Sequence, residues 1–137
     1  MKLYYIANNQ LPTIKAHGLQ IVKTCEALQA QGVDMELIIP KRILYSEIKD
    51  ADPISYYGVR HKFKITQLPS RSFTHVRIGS FGSKILFWIQ QYLFARTARA
   101  YIPDNSAVYS RDQFLIYALS SRGYKLFWEA HTFPKNI

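Results

Sequence analysis

Three short clusters carry side chains that can do chemistry. Thr13, Lys15, His17 and Gly18 lie close together, just ahead of a segment patterned as a helix. A helix start presents unpaired N–H groups and the positive end of the helix dipole, which suit a phosphate or carboxylate. Lys15 adds a full charge. The same residues also fit an ordinary helix start with a surface lysine and a histidine near the cap. Glu129-Ala130-His131 follows an apolar run near the end of the chain. It can serve as a ligand pair or as a polar contact to a substrate, or His131 can be a loop histidine satisfied by backbone. No third ligand neighbours it in sequence, so no metal is expected there. Arg111-Asp112 is the third cluster: Asp112 suits a helix N-terminus, and Arg111 can point its guanidinium into a crevice.

Other chemistries are excluded by what the chain lacks. A dinucleotide or nucleoside-triphosphate fold needs a glycine-rich turn after the first strand, because backbone must approach the phosphates closely. The turn from Asn8 to Gly18 has one glycine. Ser110 and the other hydroxyls have no Ser-His-Asp spacing, and His61 and His75 have no partner pattern and read as surface. Cys25 sits mid-helix among apolar residues and reads as core.

The elements that must position these residues follow from hydrophobic period. Lys2–Ala7 is an apolar, aromatic run that reads as a strand buried on both faces. Asn8–Ala16 is a loop containing Pro12. His17–Gln31 reads as an amphipathic helix, with Leu19, Val22, Cys25 or Glu26, and Leu28-Gln29 at helical spacing and Gly32 as its stop. Asp34–Pro40 is a second strand ended by proline. Lys41–Pro53 is polar and allows a short helix, Ile54–Gly58 is a connector, and Phe63–Leu68 is a third strand. Phe81–Ile102 is the most apolar stretch, Ala107–Tyr109 a fourth strand, Asp112–Ser121 a helix with Gly123 past its end, and Lys125–Ala130 a fifth strand. Strands alternating with helices predict an α/β fold: a Rossmann-like parallel sheet of order 3-2-1-4-5 with helices on both faces. The crevice at the carboxyl ends of strands one and four is then the place for function. The loops reaching it are Asn8–His17 and Glu129–Asn136.

A chain of 137 residues fits one domain. With 48% hydrophobic and 15% aromatic residues it can bury a core. One cysteine excludes an intramolecular disulfide, and no secretory signal precedes the first strand, so a cytoplasmic, reducing setting is expected. The net charge of +9 is uneven: residues 41–101 hold eleven basic and three acidic side chains. Such a surface invites an anionic partner, although a solvated basic face without a partner gives the same pattern.

The segment Pro12-Thr13-Ile14-Lys15-Ala16-His17-Gly18-Leu19-Gln20 and the helix after it, to Leu28, resemble the first loop and helix of family 4 glycosyltransferases. Tyr109-Ser110-Arg111-Asp112 and Phe127-Trp128-Glu129-Ala130-His131 look like that family's strand-four end and its E-x-H motif. The resemblance runs from Lys2 to Pro134. It implies the acceptor-side, N-terminal domain of a GT-B enzyme that transfers a sugar, with retention, from a nucleotide-sugar donor to a glycan or lipid-linked acceptor. It implies no metal and no cofactor. By carry-over His131 contacts the donor sugar, and the loop at Gly18 faces the donor phosphates and the acceptor. Thr13, Lys15, His17, Arg111 and Glu129 complete the site. Many relatives have two glycines where this chain has Ala16-His17-Gly18.

A donor-binding second domain is expected to be missing from the chain, which would leave the isolated chain inactive. Strand five, apolar on both faces yet at the sheet edge, is expected to have chain or a partner beside it. The Phe81–Ile102 helix is too short and interrupted to span a bilayer. It suits either the core or a peripheral contact at the inner membrane face through Lys84, Arg96 and Arg99. A stand-alone binding module is the competing reading. A nucleic-acid binder ranks last, for want of any matching motif.

Overall fold

In a computed structural model of the chain, residues 1–41, 51–71, 73 and 79–131 are described. Most of the Lys41–Pro53 segment expected to allow a short helix, His75, and the part of the expected Glu129–Asn136 loop after His131 lie outside those residues. Five strands form one parallel sheet in the order β3-β2-β1-β4-β5. They are β1 (Leu3–Ile6), β2 (Met35–Lys41), β3 (Lys64–Pro69), β4 (Ala107–Ser110) and β5 (Lys125–Trp128), alternating with α1 (Ala16–Ala30), α2 (Pro53–Tyr56), α3 (Gly79–Tyr101) and α4 (Gln113–Leu119). This is the Rossmann-like fold expected from the strand–helix alternation.

Successive strand residues point to opposite faces, and here both faces are covered. Tyr4, Ile6, Ile38 and Val108 pack with Phe94 and Ala98 of α3 and Leu115 and Leu119 of α4. Tyr5, Ala7, Leu37 and Ile39 pack on the other side with Ile21, Val22 and Cys25 of α1. Burying each such aliphatic side chain stabilises the fold by roughly 2 kcal/mol. The buried residues of α1 are Gly18, Ile21, Val22 and Cys25, one face at i, i+3, i+4 and i+7. Leu19, expected on that face, is exposed. The helix stops at Gly32, whose φ of 86° carries the chain away while its N–H and that of Val33 satisfy the carbonyls of Gln29 and Leu28.

Two local expectations change, at Pro40 and at Ile54–Gly58, and α3 shows which of its sides is buried. Pro40 does not end β2, which runs on to Lys41, paired with Pro69 of β3. The β1 register ends at Ile38, so at Pro40 the strand has a neighbour on one side only, where a missing N–H is tolerated. Ile54–Gly58 is not a plain connector: Pro53 opens the one-turn α2. Asp52 caps it by accepting the Ser55 N–H at 3.1 Å. In α3 the buried residues include Gln90 and Gln91, whereas Ile85, Phe87, Trp88 and Ile89 are exposed. Gln90 earns its burial by accepting the Phe73 N–H at 3.1 Å, and Gln91 accepts from the Asn8 amide.

Candidate functional site

Parallel strands deliver their following loops to one end, so the β1–α1 and β4–α4 turns meet at the carboxyl edge of the sheet. Buried Ser110 ties them: its hydroxyl donates to the Ile6 carbonyl at 2.8 Å and accepts the Asp112 N–H at 3.1 Å. Its carbonyl accepts the Glu129 N–H at 3.0 Å, so one residue aligns the ends of β1, β4 and β5. Asp112 then caps α4, its carboxylate accepting the N–H groups of Phe114 and Leu115 at 2.8 and 3.3 Å. That cap leaves Arg111 at the turn between strand and helix, facing the crevice.

Arg111 is the centre of the cluster. Its Nε donates to His131 Nε2 at 2.5 Å, and one Nη donates to the Gln20 side-chain oxygen at 3.0 Å. His131 Nε2 is also 3.0 Å from Glu129 Oε1, and Glu129 Oε2 accepts the Tyr109 hydroxyl at 2.6 Å. The imidazole therefore sits between a cation and an anion. With a lone pair on Nε2 it accepts from Arg111; with a proton there it donates to Glu129. Burial, with the Glu129 carboxylate beside it, pushes the Tyr109 hydroxyl well above its ordinary pKa, so it stays a donor. The Tyr5 ring packs on Tyr109 at 4.9 Å between centroids. Among the described residues the buried Tyr5 hydroxyl has no hydrogen-bond partner.

His17 lines the other side. It shares with Asn9, Ser110, Arg111 and Asp112 a cleft of about 60 Å³ between the ends of β1 and β4, enough for a few waters but not for a sugar nucleotide. Partial burial lowers the His17 pKa, and the charges of Lys15 and Arg111 lower it further, so the ring is held neutral. Beyond Arg111, an open groove of about 640 Å³ runs between α1 and the β5 edge, lined by Gln20, Lys23, Ala27, Arg111, Glu129 and His131. Its size is that of an ordinary small-molecule site.

The expected residues thus divide in two. Arg111 lines both the cleft it shares with His17 and the groove it shares with Glu129 and His131. Thr13 and Gly18 are buried against α2. The Tyr57 hydroxyl accepts the Thr13 N–H at 2.8 Å and donates to the Thr13 carbonyl at 2.9 Å. A Cβ on Gly18 would overlap that hydroxyl and the Thr13 methyl, so glycine is required there by side-chain packing. Lys15 is the N-cap residue of α1, exposed, and among the described residues no side chain caps the helix. In the first turn the Gly18 N–H already donates to the Lys15 carbonyl at 3.1 Å, which leaves at most those of Ala16 and His17 for a ligand. Gln20 and Tyr109 stand in the resembling segments without a role assigned from sequence, and Tyr57 was not a candidate at all. Gln20 follows His17 by three residues and so shares its helix face, a signal that was available; Tyr57 lies 44 residues from Thr13 and offered none.

Among the described residues no group of three or more His, Cys, Asp and Glu side chains could hold a metal ion. The fold and the site define an α/β protein with a Rossmann-like parallel sheet and a polar, arginine-centred crevice at its carboxyl end. In comparisons with protein-family models, curated proteins and solved structures, no match was found.

Proposed function

We propose that the chain is the acceptor-side domain of a retaining glycosyltransferase that moves a sugar from a nucleotide-sugar donor to a glycan or lipid-linked acceptor. The observation that carries this reading is the Arg111–His131–Glu129 cluster at the carboxyl-end crevice, with the α1 start, which no described side chain caps, beside it. The sequence resemblance from Pro12 to Leu28 supports it.

Each residue has a part that its surroundings suit. His131 meets a hydroxyl of the donor sugar and orients it; Arg111 and Glu129 hold the ring so that little order is lost on binding. The groove beside α1 receives the acceptor. The α1 N-terminus and Lys15 face the diphosphate and add positive potential where negative charge develops as the donor bond breaks. The main stabilisation of that diphosphate belongs to a second, donor-binding domain, because one wall of a cleft leaves the donor in water, where charge interactions are weak. A strand from that enzyme or a partner chain beside β5 belongs to the same reading, since Phe127 and Trp128 are 52% and 40% exposed there.

The test is release of nucleoside diphosphate from a set of nucleotide-sugars by the chain combined with a donor-binding domain, from the same or a neighbouring gene. His131→Ala should lower turnover about a hundred-fold, the cost of losing a positioned polar contact. Full turnover by the His131→Ala protein, or by the 137-residue chain alone, would overturn the assignment.

A further inference from the structure

α3 is apolar on two sides, and only one of them is used by the fold. Phe94, Ala95 and Ala98 pack against the sheet, and Gln90 and Gln91 are buried beside them. Phe81, Ile85, Trp88, Ile89 and Tyr92 recur at i, i+4, i+7, i+8 and i+11 and are all exposed, Phe81 by 77%, Trp88 by 54% and Tyr92 by 57%. At 100° per residue these five share an arc of about 100°, and from Phe81 to Tyr92 the stripe runs about 16 Å. Singly exposed apolar side chains are ordinary, but a contiguous stripe of five marks an interaction surface.

We propose that this stripe is a membrane-contact surface that lies in the interface of an anionic bilayer. Charge selects the partner. α3 carries Lys84, Arg96 and Arg99 and no carboxylate, and Arg96 continues the stripe one helical turn past Tyr92. Arg71 lies across a shallow hollow from Arg96, adding a cation at the same end. Apolar rings flanked by cations fit acyl chains below and lipid phosphates above, and indole and phenol rings favour that boundary. No helix among the described residues is long and apolar enough to cross a membrane, so the contact is parallel to the surface. The stripe also extends to α4: Trp88 packs on Phe114 at 5.3 Å between centroids, and Tyr117 is exposed beside them. Asp112, which lines both that aromatic groove and the His17 cleft, brings the crevice mouth close to the lipid. The proposal does not depend on sugar transfer.

Trp128→Phe leaves Trp88 as the sole tryptophan of the two in the chain. Its fluorescence should shift to the blue and be quenched by brominated acyl chains in phosphatidylglycerol vesicles, weakly in phosphatidylcholine vesicles, and less at high salt. Lys84→Gln with Arg96→Gln should weaken partitioning about thirty-fold, at about 1 kcal/mol per cation. Ile85→Ser with Tyr92→Ser, both at exposed positions, should abolish quenching without moving the circular dichroism spectrum. Equal quenching in neutral and anionic vesicles, or none in either, overturns the proposal. So does a dimer in solution that Ile85→Ser dissociates, because the stripe would then be covered by a second copy.

Discussion

The two ends of the sheet are built from the same kinds of side chain and behave oppositely. At the amino end, Glu36 of β2 is 1% exposed. Its carboxylate meets Lys2 at 2.8 Å and Lys64 at 3.4 Å, and accepts the Thr66 and Tyr101 hydroxyls at 2.5 and 2.6 Å. At the carboxyl end, Glu129 is 36% exposed and is held by Tyr109 and His131, with Arg111 behind. Burial pushes the Glu36 pKa up, but the hydrogen bonds from Lys2, Thr66 and Tyr101 together outweigh it and bring the carboxyl down to about 2. The groups there converge on one buried carboxylate, with the Lys2 and Lys64 stems reaching in from the surface. At the other end the groups face a cleft and a groove, and the histidine between them can switch partners. A buried, satisfied network rigidifies a fold; a half-open one leaves polar groups free to meet a ligand.

The largest effect that tests this contrast is at Glu36. Its folded pKa lies below the ordinary 4.5, so its contribution is complete above about pH 4.5 and is lost as the pH falls through about 2. A shift of that size corresponds to about 3 kcal/mol. Glu36→Ala should lose about that much in denaturant unfolding at neutral pH. The loss should shrink in acid, because the wild type surrenders the same interaction there. An equal difference at pH 7 and pH 2 would mean that Glu36 acts through packing alone.

Gly18→Ala should come next, at about 2 kcal/mol, because the new methyl must displace Tyr57 and break its two hydrogen bonds to Thr13. Tyr57→Phe in the same chain should recover part of the loss in a thermal melt. Should Gly18→Ala leave stability intact and change only ligand binding, Gly18 would belong with the open end after all. The smallest stability effect should be Arg111→Gln, within about 0.5 kcal/mol, as for other partly exposed ion contacts. A melting temperature lowered as far as that of Glu36→Ala would erase the distinction between the two ends.

Much of this was written locally. The sheet order followed from short apolar runs separated by amphipathic helices, since a parallel sheet with both faces covered needs continuous apolar strands, and Tyr4-Tyr5-Ile6 supplies one. The caps at Asp112 and the stop at Gly32 were legible because the groups that satisfy them lie within a few residues. Arg111, His131 and Glu129 were legible as candidates by type and by their place after strands four and five. What the chain could not announce was which of two apolar sides α3 would bury. Ile85 to Ile89 is wholly apolar, whereas Phe94 to Ala98 is interrupted by Arg96 and Thr97, and only the position of the helix against the sheet exposes most of the first group and buries Gln90 and Gln91 with Phe94, Ala95 and Ala98. The joining of Arg111 to Gln20, 91 residues away, and of Gly18 to Tyr57 are likewise decisions of the fold. Hydrogen bonds and close packing act over a few ångströms in space, and the sequence records only distance along the chain.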